Sequence, residues 1–275
     1  MKTNNFNFVK FSFLLLATVA VLFIVSCGNR QAKEAENNST TPKEAAFGSV
    51  TKYPIPTAFE VIKLLNNAGA SYILSQSNPV ENVDKYIPAK SKALNLGVYG
   101  ADLSYASTYQ MKQETMNYLK VSKKLIDELQ ITSAFNVEFA QRIEKNIDNK
   151  DSLIRIISDS FYDTYQFLVN NGKDNTSLLV MSGSWVEGLY ITTQMAIISK
   201  NNEDILKIVA NQKEPLAKLL ELMKPYSTDK DITEMVVALK PLADIYATVV
   251  VDKLTPEQLD QITKSVNQVR SMIVQ

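Results

Sequence analysis

The chain has 275 residues, with 29 basic and 29 acidic side chains, no histidine and one cysteine. Those counts exclude an imidazole-assisted nucleophile, an imidazole metal site, an intrachain disulfide and a zinc knuckle. Balanced charge argues against a nucleic-acid partner, which needs a clustered basic face. No phosphate loop, dinucleotide fingerprint or calcium loop occurs, so no cofactor or metal is expected.

Lys2 and Lys10 precede an apolar run over residues 11–25, followed by Ser26 and Cys27. The run is shorter than the roughly 20 residues of a spanning helix, and its flanks fit a signal peptide. Ile24-Val25-Ser26-Cys27 resembles a bacterial lipobox: a branched aliphatic residue, a small residue before the cut, and the cysteine that receives the lipid. The expected organisation is a lipoprotein signal peptide over 1–26, a flexible tether over 27–53 from lipidated Cys27, and an all-helical globular domain over 54–275. Cleavage removes Lys2 and Lys10 and no acidic residue, which leaves a net charge of −2. Gly28 stands where an aspartate would retain a lipoprotein at the inner membrane. By analogy the expected location is the outer membrane, periplasmic or surface-facing. The tether is rich in Asn, Thr, Lys, Glu and Ala and lacks an apolar period.

Beyond residue 54 the spacing is helical almost throughout, and the expected fold is all-α, a bundle of about nine or ten helices. A first long helix is predicted over about 57–76, ended by Asn78-Pro79, with Pro88 before the second. Phe135, Phe139, Ile143 and Ile147 recur every four residues after Ser133, a candidate N-cap. Leu153, Ile156, Ile157, Phe161, Tyr165 and Leu168 form the next stripe, closed by Asn171-Gly172. Asn201-Asn202, Pro215, Pro225 and Pro241 divide the last third, with Pro215 and Pro241 expected in first turns. Thr255-Pro256-Glu257-Gln258 opens the final helix, where Leu259, Ile262, Val266, Val269 and Ile273 make one face of a bundle helix.

Four of the eight glycines lie in two otherwise helical segments, at 97, 100, 183 and 188. An interior glycine costs about 1 kcal/mol against alanine, so four together need a reason. One reading is close helix crossing, with aromatics filling the gaps and Asp102 and Glu187 held as buried carboxylates by tyrosine hydroxyls or backbone amides. The other is a ligand pocket lined by Tyr99, Tyr105, Trp185 and Tyr190, with Asp102 and Glu187 as polar anchors.

Asn78-Pro79-Val80-Glu81-Asn82, residues 94–105, Asn149-Lys150-Asp151-Ser152-Leu153 and residues 183–190 together resemble a group of predicted envelope lipoproteins of Bacteroidetes. The resemblance implies an all-helical, membrane-anchored protein and brings no activity with it. The leading functional expectation is a non-catalytic binding or scaffold module, tied to the membrane by its lipid, whose partner is an envelope protein or a small ligand. The alternatives are a sensor using the glycine-aromatic pocket and a hydrolase using Asp102 and Glu187. The hydrolase needs both carboxyl groups roughly 5–10 Å apart in a cleft open to solvent.

Overall fold

The structure is a computed structural model that describes residues 53–131, 137–200 and 202–275. The signal peptide, Cys27, nearly all of the tether, Ser133 and Phe135 lie outside the described residues. Ten α-helices and no strand are found among those described, the all-α bundle that the spacing predicts.

Helix α1 (Ala58–Asn67) starts at Thr57, whose hydroxyl accepts from the Glu60 amide while the Glu60 carboxylate accepts from the Thr57 amide. This reciprocal cap satisfies two of the amides that every helix start leaves unpaired. The helix ends well before the expected 76. Gly69 adopts a φ of +81°, a left-handed conformation that stops a helix, and two 3-10 helices follow, at Leu74–Gln76 and Val80–Lys85. The result is a strap over residues 68–88 that contains no α-helix. Helix α2 (Ala89–Thr108) begins directly after Pro88, and α3 (Lys112–Glu128) returns along it. Helices α4 (Val137–Lys145) and α5 (Lys150–Asn170) follow, with Asn149 capping α5 and Gly172 turning the chain at a φ of +66°.

Helix α6 (Asp174–Ile198) is the longest, and α7 (Glu203–Ala210) opens on an Asn202 cap. Helix α8 (Lys213–Met223) carries Pro215 in its first turn, as expected. Helix α9 (Lys230–Thr248) does not. Pro241 lies inside it, and the helix continues through because the residue is exposed, so water can reach the carbonyl group that the proline leaves unbonded. Helix α10 (Pro256–Val274) has the anticipated Thr255 cap, proline first turn and Gln258 partner, and buries Ile262, Val266, Val269 and Ile273.

Helices α2 and α6 form the centre. Every residue from Ala93 to Thr108 and from Ser177 to Leu189 is buried, and these two helices pack on each other more extensively than any other pair. A helix buried all round has no polar face to turn outward. These two helices manage close approach with small residues. A Cβ on Gly97 would lie 2.0 Å from the Val180 carbonyl oxygen, and one on Gly183 would lie 1.9 Å from that of Leu94. The backbones therefore touch directly, as the crossing reading expects. Gly100 and Gly188 do something else: Gly100 accommodates the Phe161 ring, and Gly188 faces Ala58 at ordinary contact distance.

This difference predicts two classes of glycine. Gly97→Ala and Gly183→Ala should each destabilise by about 3 kcal/mol or more, because backbone rather than a mobile side chain must retreat. Gly188→Ala should be neutral or stabilise by up to about 1 kcal/mol through helix propensity. Urea unfolding of the three variants checks the ordering.

Candidate functional site

All six residues singled out around the glycine segments are on α2 or α6, and the structure divides them. Asp102 and Glu187 are completely buried, and they meet in one polar cluster with Arg270 of α10. The Arg270 guanidinium grips Glu187 bidentately, Nε to Oε2 at 2.7 Å and Nη2 to Oε1 at 2.8 Å. Nη2 also donates to the Gln76 carbonyl, and the guanidinium lies 4.0 Å above the centre of the Tyr190 ring. This planar fork over an aromatic face is an arrangement arginine can make and lysine cannot. Asp102 accepts from the backbone amide of Asn78 through Oδ2, while its Oδ1 is buried with no hydrogen-bond partner.

Two fully buried carboxyl groups beside one half-buried guanidinium cannot all be charged without an uncompensated negative charge in the interior. Burial drives the pKa of Asp102 well above the ordinary aspartate range, and the neighbouring Glu187 carboxylate drives it further. Burial raises Glu187 too, but there the attraction of Arg270 and its hydrogen bonds oppose the rise. The proton therefore resides on Asp102. A neutral Asp102 carries a donor of its own, and its proximity lowers the pKa of Glu187, which helps to keep the glutamate ionised.

Of the two expected partners of the carboxylates, a backbone amide holds Asp102 and no tyrosine hydroxyl among the described residues is hydrogen-bonded to either group. The tyrosines hold the strap. Tyr109 donates to the Ala70 carbonyl at 2.7 Å. Tyr105 donates to Ser71 at 3.1 Å and accepts from the Ile73 amide at 2.9 Å. Tyr190 donates to the Gln76 side chain, and Tyr99 to the Pro79 carbonyl. Tyr86, on the strap itself, accepts from the Asn78 amide side chain and reaches the Val274 carbonyl at the end of α10. A segment whose only regular structure is two short 3-10 helices must find side-chain partners for its remaining buried backbone groups, and phenols are suited to this because burial raises their pKa, for Tyr109 to about 12. Trp185 is not part of the cluster: it is buried about half a turn from Glu187 around α6, and its indole N–H has no partner.

The strap closes over the cluster, so solvent does not reach the two carboxyl groups, and the access that a carboxylate hydrolase requires is missing. Four of the cavities among the described residues have linings that include none of the six residues. One apolar cavity beside Gly100, Phe161 and Ser122 measures about 40 Å³, room for a few waters and not for a ligand of ordinary size. No group of three or more acidic or cysteine side chains that could hold a metal occurs among the described residues. Sequence reasoning missed Arg270, Gln76 and Tyr86. Arg270 did leave a signal, since it stands one turn after Val266, beside the buried stripe of α10, where an unpaired charge has no place.

No protein-family model matches the chain, and neither a curated protein nor a solved structure matches it.

The protonation pattern gives a test with a sign. Asp102→Asn preserves shape and donor and should change stability by no more than about 1 kcal/mol near pH 4, whereas Glu187→Gln strands Arg270 and should cost about 3 kcal/mol or more. In the native protein Asp102 retains a proton that the unfolded chain releases above pH ~4, so its contribution falls as pH rises toward the folded pKa. Urea unfolding between pH 4 and 8 should show Asp102→Asn gaining on the parent with increasing pH. A difference independent of pH would mean that Asp102 is ionised.

Proposed function

We propose that this chain is a lipid-anchored helical module of a bacterial envelope that acts by binding another protein and not by catalysis. The anchor rests on the leader and Cys27 of the sequence. Among the described residues, no helix is long and apolar enough to cross a membrane. The binding role rests on one contrast. The chemically capable side chains are consumed in the interior, while an apolar ridge stands open on α9.

Val237 at the crest of that ridge is 67% exposed, with a groove on either side. One groove, of about 430 Å³, runs between α8 and α9 past Leu220, Met223 and Val236. The other, of about 470 Å³, runs between α9, α10 and the start of α2 past Leu94, Ala238 and Met272, itself 61% exposed. Apolar surface of this kind, rimmed by charges, is what a protein partner covers.

Two measurements test the reading. Labelled palmitate should enter the parent chain and not a Cys27→Ala variant, and retained label would remove the anchor. On native gels of mild-detergent extracts, the parent should migrate above monomer size, and a folded Val237→Asp/Met272→Asp double variant should migrate as monomer. A parent that already runs as monomer would remove the binding role.

A further inference from the structure

The outward face of α9 has a symmetry that names its partner. Lys230, Val237 and Asp244 recur every seven residues, two turns apart, so they fall on one outward stripe with Val237 at the centre and opposite charges at the ends. Both end residues are mostly exposed, Lys230 reaching Glu234 and Asp244 holding Lys240 along the same helix. From these observations we infer that the ridge binds a second copy of this chain, with the two α9 helices antiparallel about a two-fold axis through Val237. This inference rests on the protein-binding reading above and specifies its partner.

The register follows from the charges. In the antiparallel pair, Lys230 of one copy stands opposite Asp244 of the other, twice over. In a parallel pair Lys230 would face Lys230 and Asp244 would face Asp244, which is unfavourable at both ends. At the centre each Val237 crest finds a groove flanking its counterpart, so ridge meets groove on both sides of the axis, as an isologous contact requires. The flanks do not interfere. Glu234 is engaged by Lys90 of α2 on one side, and Lys240 by Asp244 on the other.

The contact is small. Helix α9 has 19 residues, roughly 28 Å of axis, and an interface along one helix falls in the weak class below about 1,200 Å². Such a pair forms little in dilute solution and becomes substantial when both copies are tethered to one membrane, where the effective concentration is high. The anchor and the ridge then work together: attachment makes a weak self-association count.

The experiment uses the full chain carrying Cys27→Ser, which removes its one cysteine, purified in mild detergent and held at high protein concentration, where mass action forms a weak pair without the anchor. Under mild oxidation Val237→Cys should form a disulfide dimer, since that residue meets itself on the axis. Val251→Cys, exposed but outside α9, should remain monomeric. A mixture of Lys230→Cys and Asp244→Cys chains should cross-link faster than either alone. By sedimentation, Lys230→Glu should weaken dimerisation about tenfold and Lys230→Glu/Asp244→Lys should restore it. Cross-linking at 237 no faster than at 251, or equal weakening by the single and the swapped variant, overturns the pairing. If the Val237-dependent species in membrane extracts has the mass of a complex with a different protein, the self-pairing fails and the docking surface stands. If no Val237-dependent species exists in either preparation, both fail.

Discussion

The arrangement of the molecule depends on one contact, the meeting of the α2 and α6 backbones at Gly97 and Gly183. At each of these positions the room for a Cβ is already taken by a carbonyl oxygen of the opposing helix, so the two axes cannot separate by even one methyl group without losing the packing around them. Helices this close have little space for large side chains between them, and the sequence responds with hydroxyls that bond their own backbone. Ser104 donates to Gly100, Ser182 to Leu178 and Thr192 to Gly188, each one turn back. Such bonds satisfy polar groups without demanding a partner from another element.

The same crossing produces the polar cluster. Asp102 follows Gly97, and Glu187 follows Gly183, by between one and one and a half turns, so whatever brings the glycines together also brings the carboxyl groups together. Left alone, that pair would be ruinous. Arg270 supplies one compensating charge, a retained proton removes the other, and the Asn78 amide of the strap accounts for one oxygen of Asp102. The tyrosines then fix the strap in place, and through the strap the cluster is sealed. Central packing, buried charge and a segment without α-helix form one connected problem with one solution.

That connection explains what could be read from the sequence and what could not. The peripheral helices were legible because each has one buried face, as the stripes of α5 and α10 show, and because a cap such as Thr255 is local. The crossing was legible at Gly97 and Gly183 because glycines in a helix need a reason. Gly100 and Gly188 carry the same signal for different neighbours, and nothing local distinguishes them. The end of α1 was misread because apolar spacing continues past Asn67, while the decisive feature is a single left-handed glycine at 69. The pairing of Glu187 with Arg270 spans 83 positions, and periodicity reports which face of a helix is buried but not which other face covers it. The direction of the tyrosine hydroxyls was hidden for the same reason.

The division between interior and surface also explains why α9 is the outward-looking element. Pro241 has no N–H to give, so the carbonyl of Val237, one turn earlier, receives no intrahelical bond there, on the side of the helix facing solvent. Val237 and Pro241, one turn apart, thus share the solvent-facing side of the helix. On the buried side, Ile232, Met235, Leu239, Leu242 and Tyr246 hold the helix to its neighbours, with Tyr246 donating to the Val209 carbonyl. The core therefore fixes α9 firmly while its outer face keeps both an apolar crest and an unbonded backbone group. A face left in this condition on a rigid support has its features set in advance, which lowers the ordering cost of covering it.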